Sequence, residues 1–353
     1  MFYLPFTMNL QLLIPVAFKN LDKVGDAATI ILAGDIGGTK ANILLSRFTN
    51  GGLETIKETR YVSKEYHSFN DILTQFLKGQ PRPDKICFSV AGPVIDGKVK
   101  FTNLSWEIDS AEISRFAGGC PVAILNDLEA TAYGLAGLRE DELSTILKGT
   151  HETSGNIGIL AAGTGLGEAG LFWDGKQYHP FATEGGHCDF APRNTRDMAV
   201  LNFLLTRHEH VSWERLLSGA GIVTIWEYLT QVEQKNIPAW LSAEMKDNDP
   251  APFISKAALE GKCPVCAEAI EMFNRYLATE AVNLILKFKA TGGLYLAGGI
   301  APKILPLLNT NTWKDVFEKS GRMRQLLEEV SVYVVINQKA PLLGASYYAC
   351  LNI

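Results

Sequence analysis

The chain has 353 residues, 47% hydrophobic and 20% charged, with 33 Lys and Arg against 38 Asp and Glu for a formal net charge of −5. Those fractions exclude a disordered chain, a collagen-like repeat and a coiled coil, and the acidic balance lacks the basic footprint of a nucleic-acid binder. The length exceeds what one core usually supports, so two domains are expected, and the 32 glycines are clustered rather than spread.

Residues 1–18 carry no charge, but no Lys or Arg precedes Lys19 and Pro5 and Pro15 interrupt the run. Neither a secretory signal nor a membrane span fits that pattern. Residues 1–28 read as an N-terminal extension, with Met8 as an alternative start, on a cytoplasmic protein that engages no nucleic acid and no membrane. From Thr29 to Arg47 an apolar run meets the turn Gly34-Asp-Ile-Gly-Gly-Thr-Lys40, and a second apolar run follows at once. From Asn156 to Trp173 the design recurs around Gly163-Thr-Gly-Leu-Gly167. Both segments read as hairpins whose turns require positive φ and a close backbone approach. Two such hairpins a domain apart predict a duplicated α/β core with a cleft between its halves.

Between and after the hairpins, helical periodicity covers Ala111 to Phe116, Asp127 to Ala136, Arg196 to His208 and Ala267 to Lys289. The polar stretch Gln234 to Pro252 reads as a loop or an insertion, and Gly293 to Ile300 as a strand entering a Gly-Gly turn, with a helix after Pro302. The six cysteines are sparse, and Cys263-Pro-Val-Cys266 has neither a thioredoxin-like context nor further zinc ligands nearby, so it reads as a reduced structural pair.

Glycine-rich turns after buried strands point several N–H groups at one place, which suits phosphate oxygens. Residues Gly34 to Thr39 fit that use, and Asp35 beside bound phosphates implies Mg²⁺ or its waters. The same residues fit a plain hairpin turn equally well. Val122-Ala-Ile-Leu-Asn-Asp127 is a strand ending in Asn-Asp ahead of a helix. A carboxylate there suits a general base, but Asp is also a common helix cap, and spacing alone favours the cap. Glu184-Gly-Gly-His187 offers an acceptor and an imidazole for a polyhydroxylated ligand, while Glu214 reads by itself as a solvated helix residue. Gly165-Leu-Gly-Glu-Ala-Gly170 matches the dinucleotide fingerprint, but a strand rather than a helix follows it, which argues against a dehydrogenase.

In this order, these motifs resemble the bacterial glucokinase family of the actin and hexokinase superfamily. Further anchors are Ala91-Gly-Pro93, Thr102-Asn-Leu-Ser-Trp106, Glu214-Arg-Leu-Leu-Ser-Gly219, Ala297-Gly-Gly-Ile300 and Pro341-Leu-Leu-Gly344. The resemblance implies a duplicated actin/hexokinase-like (ribonuclease H-like) α/β fold of two domains with an inter-domain cleft. It places a small domain at 29–136, completed by 338–353, and a large one at 137–337. It implies phosphorylation of the 6-hydroxyl of D-glucose by ATP with Mg²⁺, in a homodimer. Asp127 matches the catalytic base; Asn103, Asn126, Glu184, His187 and Glu214 match sugar-binding residues. Asp35 matches the Mg²⁺-side carboxylate, acting through water. Gly37, Gly38, Thr39, Gly163, Thr164 and Gly165 match phosphate-binding turns, and Gly298 and Gly299 the adenosine site.

Two positions depart from relatives. Lys40 stands where some have Asn, and Cys188-Asp-Phe-Ala-Pro-Arg-Asn194 has one cysteine where the zinc-binding branch has several, so no zinc is expected. A sugar-sensing regulator would need a helix-turn-helix, for which the residues ahead of the first strand are too few.

Overall fold

A computed structural model of the protein describes residues 12–20, 27–49, 52–101, 104, 106–150, 154–246 and 248–353. The chain divides into two compact units. The first is Met1–Glu140, Lys176–Pro180 and Lys339–Ile353; the second is Asp141–Gly175 and Phe181–Gln338.

The first unit opens on β1 (Thr29–Ile36), β2 (Lys40–Thr49) and β3 (Gly52–Val62), followed by α1 (Phe69–Leu77), β4 (Lys85–Val90), β5 (Lys98–Lys100), β6 (Glu107–Asp109), α2 (Ser110–Phe116), β7 (Val122–Asn126) and α3 (Asp127–Gly134). The main sheet runs β3-β2-β1-β4-β7, with β1, β4 and β7 parallel and the β1–β2–β3 meander antiparallel. β4 is buried along almost its whole length, which is why it reads as a continuous apolar run rather than an alternating one. α1 starts at Ser68, whose side chain accepts from the Asp71 N–H while the Asp71 carboxylate accepts from the Ser68 N–H, a reciprocal capping box.

The second unit contains β8 (Leu143–Leu147), β9 (Ile157–Ala162), β10 (Leu166–Trp173), the latter half of β11 (Tyr178–Thr183, whose first three residues belong to the first unit), α4 (Thr195–Leu205), α5 (Gly219–Glu227), α6 (Ala239–Met245), α7 (Pro250–Leu259), α8 (Pro264–Phe288), β12 (Gly293–Ala297), α9 (Thr310–Glu318), α10 (Arg324–Glu328) and β13 (Val332–Val335). Its sheet runs β11-β10-β9-β12-β13-β8. β9, β12 and β13 are parallel, and β10 returns antiparallel to β9. With β8 set aside, this repeats the strand order of the first sheet, so the duplication anticipated from two hairpins is a duplication of whole sheets. α8, 25 residues long and buried over most of its turns, forms the centre of this unit's core.

α11 (Ala340–Asn352) returns to the first unit and packs on α3, β1 and β4. The helices meet through glycine: a Cβ on Gly344 would overlap the Ala130 carbonyl, and one on Gly134 the Ala340 carbonyl. The segment before β1 is part of this packing. Leu13 N–H donates to Ala136 O at 2.9 Å, Tyr178 N–H to Pro15 O at 2.8 Å and Asn20 N–H to Leu351 O at 2.8 Å, with Ile14, Val16 and Phe18 buried.

Several local expectations change. The stretch Gln234 to Pro252 contains the whole of α6 and the start of α7; Asp249 caps α7 with Pro250 at its first position, a start signal that its polar setting conceals. No α-helix follows Pro302 directly. Pro306 leaves only a short 3-10 turn at Leu305–Leu307, and α9 begins beyond the Asn309 cap. Gly37, Gly163 and Gly165 do not have positive φ; Gly298 does, at 80°.

Candidate active site

In the first unit the polar groups gather at the carboxyl ends of three parallel strands, the usual place for ligands in open α/β sheets. Asp35 near the end of β1 stands opposite Asn42 on β2 and Ser89 on β4. Ser89 Oγ donates to Asp35 Oδ1 at 3.2 Å. Burial raises the Asp35 carboxyl from its ordinary value, against the opposing pull of the Ser89 and Asn42 hydrogen bonds. That is the state of a carboxylate set where a cation or its waters would offset the desolvation. The adjacent turn is closed by Gly37 N–H donating to Lys40 O at 2.8 Å. Buried Ser63 clamps it from β3's end, its Oγ donating to Gly37 O at 2.9 Å and its N–H to Thr39 O at 3.0 Å. Ser63 and Ser89 carry no motif; only strand register brings them here. Thr39 and Lys40 are exposed.

At the end of β7 the cap question is settled in favour of Asn126. Its Oδ1 accepts from Leu128 N–H at 2.9 Å, and its Nδ2 donates to Gly92 O at 3.1 Å in the loop after β4. Asp127 is the first residue of α3, half-buried, with its Oδ1 3.0 Å from the same Leu128 N–H. Both side chains thus meet the first turn of α3, with Asn126 at the cap position and Asp127 one residue on. Asn103 lies outside the described residues.

In the second unit two backbone turns converge. Gly163 N–H donates to Gly165 O at 2.8 Å, and Gly163 O accepts from Gly219 N–H at 2.9 Å at the start of α5. Ala162 O accepts from Ile300 N–H at 3.1 Å, past the Gly298-Gly299 turn that follows β12. A Cβ on Gly163 would have Gly299 N as its nearest neighbour, at 4.0 Å. Three glycine-bearing segments thus present backbone to one another with little side-chain cover, and Thr164 is exposed among them. Such a surface fits a nucleotide's phosphates and sugar. Gly219 is a member that the hairpin motifs do not announce.

Beside it, the turn Gly185–His187 is seated on β10. A Cβ on Gly185 would overlap the Glu168 carboxylate, and one on Gly186 the Leu166 carbonyl. Close packing against β10 requires glycine at both positions. Glu184 and His187, flanking them, are exposed. Phe190 N–H donates to Val211 O at 2.8 Å and Trp213 N–H to Cys188 O at 3.0 Å, which brings in Glu214. Its Oε2 accepts from Leu166 N–H at 3.0 Å. Glu214 is therefore half-buried and held against the Gly165 turn, not the solvated helix residue that its local sequence indicates.

Cys263 and Cys266 are both buried in the core of this unit, and burial raises the Cys266 thiol. Among the described residues no group of three or more His, Cys, Asp and Glu is arranged to hold a metal, and no helix is long and apolar enough to cross a membrane.

Two sheets of one strand order, each with a glycine turn at its first hairpin, define the duplicated actin/hexokinase-like fold of sugar kinases. The chain belongs to the glucokinase family, whose pattern it matches over residues 32–351. It is 39% identical to a glucokinase of Nostoc punctiforme, over 91% of this chain and 99% of that one. It is 36% identical to a glucokinase of Synechocystis sp., over 92% and 99%. Among solved structures, a glucokinase from an Antarctic psychrotroph superposes with TM-score 0.77 at 29% identity, covering 92% of this chain and 98% of that one. A ROK family glucokinase from Streptomyces griseus, in complex with glucose and AMPPNP, shares the fold at TM-score 0.62 and 19% identity, covering 91% and 99%.

Proposed function

We propose that the protein is an ATP-dependent glucokinase that transfers the γ-phosphoryl group of ATP to the 6-hydroxyl of D-glucose. The observation that carries this reading is the family match over residues 32–351, nearly the whole chain. Asp127 acts as general base, taking the 6-hydroxyl proton as that oxygen attacks phosphorus. Its place at the exit of β7, beside Asn126 fixed to Gly92, supports the assignment. Asn126, Glu184, His187 and Glu214, with Asn103, hold the remaining hydroxyls, and carboxylates, amides and imidazole satisfy such groups as both donors and acceptors. Gly37, Gly38, Thr39, Gly163, Thr164 and Gly165 receive the phosphates, and Gly298 and Gly299 the adenosine. Asp35, with Ser89 fixing its carboxylate, would hold Mg²⁺ through water. Bound there, Mg²⁺ would neutralise phosphate charge. Phosphoryl transfer asks chiefly for positioning and charge compensation, which these residues supply. The same reading takes the enzyme to be a cytoplasmic homodimer.

Initial rates with glucose, mannose, fructose and N-acetyl sugars, each with ATP, ADP and polyphosphate and with or without Mg²⁺, test it. Highest kcat/KM is expected for glucose with ATP and Mg²⁺. Absence of turnover with that combination would overturn the proposal. Sedimentation of the purified enzyme tests the dimer.

A further inference from the structure

Among the buried ionisable groups that the mechanism leaves unused, one pair lies directly behind the turn that carries Glu184 and His187. Glu168 on β10 is 1% exposed and Glu280 on α8 is 0% exposed, and their carboxyl groups hydrogen-bond to each other. Asn283 Nδ2 donates to Glu280 Oε2 at 2.7 Å, and Lys287 Nζ lies 3.4 Å from Glu280 Oε1. Both of these polar partners serve Glu280. Glu168 Oε1 is buried with no hydrogen-bond partner, and Oε2 faces Gly185, where a Cβ would overlap it. Thr183 links the same two elements: its Oγ1 donates to Glu168 O at 3.0 Å and accepts from Gly185 N–H at 3.1 Å.

Two carboxylates in hydrogen-bond contact without water between them cannot both be ionised, so the pair shares a proton. Lys287 is one cation for two carboxylates, and it approaches Glu280. The proton therefore rests on Glu168, which donates it to Glu280. We propose that Glu168 is a positioning residue for sugar binding: its neutral carboxyl, bonded to Glu280, is the floor that fixes the Glu184-Gly-Gly-His187 turn in its sugar-facing conformation.

The inference rests on the glucokinase reading. The titratable groups facing Glu168 are Glu280 and Lys287, both on α8; β9 presents Leu160 opposite it and the turn presents Gly185. Burial, then the Glu280 charge, pushes the Glu168 carboxyl up to about 8. Above that pH a second negative charge appears beneath Gly185 with Lys287 as one cation for both carboxylates, and the turn must shift to admit water or a further cation. The sugar contacts loosen while Asp127, in the other unit, keeps its own surroundings. The signature is a rise in glucose KM with little change in kcat.

The test is a pH series on the full-length enzyme. Glucose KM and kcat are measured at saturating MgATP, and glucose binding without nucleotide is followed by tryptophan fluorescence. For the wild type, glucose KM is expected to rise about tenfold between about pH 7 and about pH 9.5 with kcat altered less than about twofold. E168Q, which keeps a donor toward Glu280 but cannot ionise, is expected to hold a flat KM across that range. E168A is expected to show the raised KM already at neutral pH. A flat wild-type profile, or an E168Q profile that climbs with the wild type's, overturns the proposal even if E168A does not fold. A wild type that neither binds nor phosphorylates glucose at neutral pH defeats the functional reading, and this inference with it.

Discussion

Asn126 Nδ2 donates to the carbonyl of Gly92 at 3.1 Å, so the last residue of β7 is tied to the loop that leaves β4. The other end of the same amide caps α3 through Leu128 N–H at 2.9 Å. One side chain thus fixes the strand exit, the neighbouring loop and the first turn of the helix that begins with Asp127. Asn126→Ala removes both contacts and is expected to cost about 1–2 kcal/mol of stability, read by denaturant unfolding. Asn126→Asp keeps an equivalent cap but sets an acceptor against the Gly92 carbonyl. It should preserve more stability than the alanine variant while still losing kcat/KM for glucose. Equal stability losses in the two variants would show that the cap is not what Asn126 contributes.

Asp127 has a different expected signature. Asp127→Asn is nearly isosteric and leaves the Asn126 cap untouched, so folding should be unchanged by circular dichroism. Removing the base should lower kcat by about a hundredfold to ten-thousandfold, with glucose KM changing far less. Turnover near the wild-type rate would reassign the base.

These residues also mark what could be read without coordinates. The glycine hairpins and the Asn-Asp strand exit are local patterns, and their residue types and spacing survive into the fold unchanged. Which of Asn126 and Asp127 caps α3 is not local, because both are competent and the end of β7 decides. Ser63 and Ser89 were illegible for the same reason: they meet Gly37 and Asp35 across 26 and 54 residues of chain, through strand register alone. Glu214 read as solvated because its partner, Leu166 N–H, is 48 residues away. Glu168 sat inside a fingerprint-like glycine run, where its burial against α8 had no sequence signal at all.

Gly298 offers a test of the nucleotide side. It holds φ at 80°, and a Cβ there would overlap the Ala162 carbonyl that receives Ile300 N–H. Gly298→Ala is strained both by its backbone angle and by the missing space, so about 1–3 kcal/mol of stability should be lost. The turn after β12 should move, raising KM for ATP more than KM for glucose. Gly299→Ala is a suitable contrast, since no atom lies within 4 Å of a Cβ at that position. It should leave stability unchanged, and a stability loss equal to that of Gly298→Ala would contradict the packing argument.

The Glu168–Glu280 pair predicts a stability profile that is separate from its effect on sugar affinity. The Glu168 carboxyl is raised from 4.5 to about 8 in the folded chain, by burial first and the Glu280 charge second. Between those values the folded protein binds a proton that the unfolded chain has released. Its stabilising contribution is complete below about pH 4.5 and is lost progressively as pH rises through about 8, because stability falls with pH wherever the native state holds more protons. Glu168→Gln has no proton to lose. The stability of the wild type relative to this variant should therefore decline steadily from about pH 5 to about pH 8 and level off above it. Denaturant midpoints of the two proteins across that range provide the measurement. A difference that stays constant with pH would mean that Glu168 ionises in the folded chain as freely as in the unfolded one, and that the pair shares no proton.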